Sequence, residues 1–204
     1  MKKILILLLT ALVSITAVEA QQLSKRELKA QKKALQKEVA AYQAEGWTVA
    51  PGNLPLAEQL TRSKTYINAL NEKGEPKYLI AEATVVAQTY KAALFSAQNG
   101  VKIEAANMIG GELTQLTNAD LANVQENTKD AISVDKVVSA AREKVTATLS
   151  RGVSLVTMQR EIKENGNVEV RLMCAYDYEK LMDTAKKAAK QSLQDEINNL
   201  RKKL

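Results

Sequence analysis

The sequence predicts an α+β domain, a three-stranded antiparallel sheet with helices packed on one face, flanked by amphipathic helices at the N- and C-termini. Three observations carry this expectation. Tyr78 to Ala87 reads YLIAEATVVA, β-branched and apolar after the breakers Gly74 and Pro76, as a buried strand does. Val153 to Ile162 and Val168 to Tyr178 form two further strands, joined through Glu164-Asn165-Gly166, where Asn-Gly marks a tight hairpin. Between the first strand and this pair the apolar residues recur at threes and fours, the period of helices.

At the N-terminus Lys2 and Lys3 precede an apolar run from Ile4 to Val18, and Val18-Glu19-Ala20 places small residues where a signal peptidase cuts. The run is shorter than the roughly 18 residues of a spanning helix. The expectation is a signal peptide over 1–20, cleaved after Ala20, with no transmembrane anchor afterwards and a mature chain that is periplasmic or extracellular. No Cys stands at the cut, so lipid attachment has no residue to use. The remainder divides into an N-terminal helical region (21–77), an α+β core (78–178) and a C-terminal helix (179–204).

In the first region Ser24-Lys25-Arg26-Glu27 is a capping box that starts a helix, with Leu28, Leu35, Val39 and Tyr42 on one face and Gly46 as its end. Trp47-Thr48-Val49 is a short extended piece, and Trp47 is a packing anchor. After Pro55 a second helix puts Leu56, Leu60, Ser63, Ile67 and Leu70 in step, ending in the turn Asn71-Glu72-Lys73-Gly74. In the core, Tyr90, Leu94, Ala97, Val101, Ala105 and Met108 form one stripe that Ile109, Leu113 and Leu116 extend. The stripe keeps its phase across Asn99-Gly100, so one continuous helix is expected there. Its many Ala and Gly residues make it thin, which lets a sheet or a second helix approach closely.

Thr117 to Lys129 is polar and reads as a frayed helix end plus loop. Ser133 then caps an amphipathic helix of Val134, Val137, Val138, Ala141, Val145 and Leu149, with Gly152 as its stop. In the last strand Val168, Val170, Leu172, Cys174 and Tyr176 face one side. The final helix carries a clean stripe of Leu193, Ile197, Leu200 and Leu204, for which the helix beginning at Ser24 is the simplest partner.

The segments YLIAEATVV, VDKVVSAAREKV and GVSLVTMQREIKENGNVEVRLMCAYD, with the Ala-rich helix after the first, resemble a family of bacterial membrane-associated lipoproteins. The fold of that family is shared with the N-terminal domain of flagellar assembly protein T. The resemblance spans residues 78–178 and implies an envelope-facing, non-enzymatic module. It brings no catalytic residues with it, and the missing Cys at the cleavage point departs from the lipoprotein pattern.

Chemistry is scarce. The chain has no His and one Cys, which excludes Ser-His-Asp and Cys-His catalysis, His-containing zinc sites and an internal disulfide. Ser133-Val134-Asp135-Lys136 fits S-x-x-K at a helix start but lacks the S-D-N and K-T-G companions, so it reads as a cap. Gly110-Gly111 lacks the pattern of a phosphate loop and reads as close packing. Glu161, Glu164 and Glu169 gather at the hairpin as solvated carboxylates, and one Trp and one Phe are too few for the walls of a sugar cleft. No catalytic residue, cofactor or metal site is expected.

The formal charge falls from +6 to +5 when Lys2, Lys3 and Glu19 leave with the signal peptide. Lys25 to Lys37 and Lys186 to Lys203 are basic stretches that suit weak contact with an anionic surface; the plainer reading makes them the wet faces of two helices. Nucleic acid is not an expected partner for an exported chain with few stacking residues. Two functions follow. The first is an envelope module acting through protein contacts or self-association, with Leu193, Ile197, Leu200 and Leu204 as its surface. The second is a periplasmic small-ligand binder with a pocket between sheet and helices lined by Tyr90, Cys174 and Tyr176.

Overall fold

Antiparallel pairing of strands from both halves of the sequence organises this protein. The computed structural model describes residues 25–122, 124 and 132–202, except the side chains of Lys25, Glu27 and Leu28. The signal segment, the Ser24–Glu27 capping box, Leu28 of the first stripe, most of the loop expected before Lys129, and Lys203 and Leu204 lie outside this description. Two compact units divide the chain, residues 1–37 and 38–204. In the first, the described residues belong to helix α1 (Lys25–Ala44) and stand almost wholly exposed, Leu35 being half-buried.

The second unit opens with the end of α1, closed by Gly46 at φ +84°. There the Trp47 amide donates to the Tyr42 carbonyl at 3.0 Å and the Gly46 amide to Gln43 at 3.0 Å, a pair of bonds that satisfies the last carbonyls of a helix. Strand β1 (Thr48–Val49), helix α2 (Leu56–Ile67), strand β2 (Tyr78–Ala87), helices α3 (Tyr90–Met108), α4 (Gly110–Leu121) and α5 (Val134–Thr148), strands β3 (Val153–Glu161) and β4 (Val168–Asp177), and helix α6 (Tyr178–Arg201) follow.

The sheet has four strands in the order β1-β3-β4-β2, all antiparallel. This corrects the expected three: the extended piece after Trp47 is a strand, pairing Thr48 with Gln159 and Val49 with Met158. Two residues are too few for a period to show in sequence. Helices also cover both faces, not one. Leu79, Ala81, Ala83, Val85 and Ala87 of β2 point to the α3 side, while Tyr78 turns to the other, where Tyr66 of α2 stands 4.7 Å away ring to ring. On that second face the Arg171 guanidinium pairs with Glu82 at 2.6 Å and lies 5.5 Å from the ring of Tyr42.

The main core lies on the first face. Ala93, Ala97, Val101 and Ala105 of α3 sit on Ala81, Val170 and Leu172, with Ala141 and Val145 of α5 and Leu181 and Ala185 of α6 closing it. Small residues bring α3 down onto the sheet: a Cβ at Gly100 would stand 2.9 Å from the Cβ of Ala83. As expected, the helix runs through Asn99-Gly100. It breaks instead at Ile109, whose φ of −95° and ψ of 17° separate α3 from α4. Gly110 and Gly111 weaken helical propensity there, and the buried Ile109 and Leu113 hold the new segment in the core. Met108 consequently leaves the stripe and is exposed, as are Ile67 and Leu70, which lie at and beyond the end of α2.

Helix α5 begins at Ser133, whose hydroxyl accepts from the Lys136 amide, so the S-x-x-K pattern is a cap here. It stops at Thr148 because Leu149 is already extended, so Gly152 is not its terminator. Along the C-terminal helix, Leu193 and Ile197 pack on Leu121, Ile132 and Val137, with Leu200 half-buried beside them. Within this unit, the described part of that stripe therefore packs on α4, α5 and the segment before it. Lys136–Glu196 at 2.6 Å and an ion pair of Lys144 with Asp195 tie α5 to α6 outside this contact.

Candidate functional site

One end of the interface between α3 and the sheet is not filled by side chains. A partly open cavity of about 250 Å³ remains there, bordered by Tyr90, Leu94 and Val101 from the helix and by Leu172, Cys174 and Tyr176 from β4. Strand alternation accounts for the floor, since Leu172, Cys174 and Tyr176 fall on one face. Tyr90 enters from the first turn of α3, which Thr89 caps by accepting from the Ala92 amide at 3.3 Å. The three residues expected to line a pocket do border one.

A bulge in β3 supplies another wall. Ser154 pairs with Cys174 while Val156 pairs with Met173, so Leu155 is the extra residue. The insertion puts Ser154 and Thr157 on the cavity side together, their hydroxyls 3.0 Å apart. Beyond the short β1 the edge of β3 is completed by a side chain: the Thr157 amide donates to Oε1 of buried Gln59 at 2.7 Å. Asn53 borders the cavity from the loop between β1 and α2, donating to the carbonyls of Ala50 at 3.1 Å and Pro51 at 3.2 Å.

Gly152 stands where the loop after α5 crosses the ring of Tyr176. A Cβ there would lie 2.9 Å from the Ala175 carbonyl oxygen, 2.9 Å from Tyr176 Cζ and 3.0 Å from Cε1, so only Gly fits this approach without movement. Tyr176 is 5% exposed, and no protein group among the described residues satisfies its hydroxyl. A buried polar atom left without a partner costs about 1–3 kcal/mol. Burial pushes the phenol up to about 12; the nearby Gly152 backbone opposes the shift without making a full hydrogen bond. Burial likewise pushes the Cys174 thiol up to about 11 and raises Tyr90. Cys174 is thus a neutral thiol at physiological pH, not an activated nucleophile.

The rim is cationic. Lys102 and Arg151 border the cavity, and among the described residues no Asp or Glu does. Several side chains that border the cavity, Asn53, Gln98, Lys102, Arg151, Ser154 and Thr157, have no sequence signal of their own. The packing of α3 on the sheet, the loop between β1 and α2, the bulge and the loop crossing bring them together.

The other expected surface is covered from within. Leu193 and Ile197 are 5% and 9% exposed inside their own cluster, Leu200 is half-buried, and Leu204 lies outside the described residues. Glu161 and Glu164 are exposed, and Glu169 is held by Arg160. Among the described residues no three His, Cys, Asp or Glu side chains gather as metal ligands would, and no helix is long and apolar enough to cross a membrane. No family model, curated protein or solved structure matches the chain, so the reading of the cavity rests on its own chemistry.

Proposed function

We propose that this chain is a non-enzymatic small-ligand-binding module of the bacterial envelope, exported through the apolar leader Ile4–Val18. The observation that carries the reading is the partly open cavity of about 250 Å³ between α3 and the sheet, with Leu94, Val101 and Leu172 among its walls. A cavity of about 150 Å³ lined by apolar groups admits benzene, so this one has room for a ring with a short substituent. An apolar floor with a few convergent polar groups is the usual make-up of a small-molecule site. The resemblance to envelope proteins supports the compartment, and the raised thiol and phenol support binding over catalysis. Assembly through the terminal stripe is the weaker reading, because Leu193 and Ile197 are already covered by their own chain.

The test is methyl NMR of the full chain titrated with a neutral aromatic probe, 3-phenylpropanamide. Shifts at Leu94, Val101 and Leu172 that vanish in a cavity-filling Leu94→Trp variant are expected. Shifts that persist in that variant, or no shifts at these methyls, would overturn the proposal.

A further inference from the structure

Resting on the cavity reading, we infer that the ligand class is a small amphipathic anion, a monocarboxylate with one ring or a short chain as its apolar body. The charges at the rim set the sign. Lys102 and Arg151 border the cavity, no carboxylate borders it, and neither cation takes part in an ion pair among the described residues. A concave, low-dielectric wall with charge of one sign concentrates the opposite charge.

Interior chemistry sets the rest. Leu94, Val101 and Leu172 offer an apolar wall to the ligand body. Arg151 immediately precedes Gly152, and both border the cavity, as does Lys102 from α3. A carboxylate at the cavity accepts charge-assisted hydrogen bonds from Lys102 and Arg151, stronger than those a neutral amide accepts. An ammonium ligand would face two like charges and only neutral acceptors.

The experiment compares 3-phenylpropanoate with 3-phenylpropanamide, which share a body and differ in charge, by calorimetry on the full chain at low ionic strength. The carboxylate is expected to bind about ten-fold more tightly or better, with the advantage shrinking as salt is added. The Lys102→Met/Arg151→Met double variant should lose that advantage and keep its affinity for the amide. Equal binding of acid and amide, with shifts at the cavity methyls, would overturn the anion inference and leave the cavity reading standing. An acid preference that survives the double variant would overturn the inference as well. If neither compound moves the cavity methyls, both fail.

Discussion

Replacing Gly152 with Ala tests the crossing that shapes the cavity. The new methyl would stand 2.9 Å from the Ala175 carbonyl oxygen, 2.9 Å from Tyr176 Cζ and 3.0 Å from Cε1. Carbon in ordinary contact keeps about 3.5–4.0 Å, so each neighbour must give by about half an ångström or more. Neither gives easily, because Ala175 belongs to β4, held between β3 and β2, and Tyr176 is buried. Overpacking of this kind costs about 1–3 kcal/mol. Ala also restricts the unfolded chain, which returns about 0.4–1 kcal/mol. Gly152 is not among the glycines at positive φ, so no backbone penalty is added. The expected net loss is about 1–2 kcal/mol, read as a lower urea midpoint at unchanged slope. Gly111→Ala is the control: nothing lies within 4 Å of its Cβ, and its stability should be unchanged or slightly higher. A Gly152→Ala variant as stable as the parent would refute the close-approach argument.

Tyr176→Phe removes the unsatisfied hydroxyl, and the free protein should gain about 1 kcal/mol in urea unfolding; a loss of stability would mean that the hydroxyl already has a partner. Burial holds the Cys174 thiol at about 11 against an ordinary 9.0 and the Tyr176 phenol at about 12 against 10.0. Folding therefore favours both neutral forms: the stabilisation is complete below the unfolded values and lost as pH rises through the folded ones. The urea midpoint should fall between pH 9 and 11, and less steeply in Cys174→Ala; identical slopes in the two proteins would contradict the burial of that thiol. Gly100→Ala should destabilise, because the 2.9 Å approach to Ala83 outweighs about 1 kcal/mol of helix propensity. Adding Ala83→Gly should recover part of the loss, with a coupling of at least about 0.5 kcal/mol in a double-mutant cycle, and strictly additive effects would argue against the contact.

Long periodic segments were legible in the sequence, and single-residue events were not. The ten residues of β2, the Asn165-Gly166 hairpin and the Ser133-capped helix announce themselves because period, turn chemistry and caps agree. Strand β1 stayed below recognition as a strand because its evidence is its partner, β3, more than a hundred residues away. The break at Ile109 hid because the buried phase of Ile109 and Leu113 continues across it, so periodicity alone cannot separate one helix from two. Gly152 looked like a helix stop and proved to be a point of contact with Tyr176, a distinction that requires knowing what lies opposite. At the site, Cys174 and Tyr176 were accessible to reasoning because strand alternation fixes a face, and Tyr90 because the helical period places it on the apolar stripe. Lys102, Arg151 and Ser154 were not, since their placement depends on a helix lying over a sheet, a loop crossing and a bulge.

The most direct test of the central claim is a crystal structure of the full mature chain grown with 3-phenylpropanoate. The account predicts the ligand body against Leu94, Val101 and Leu172, with its carboxylate facing Lys102 and Arg151. Side chains closed over the cavity, with the Tyr176 hydroxyl bonded to the Gly152 backbone and the compound absent or bound elsewhere, would contradict it.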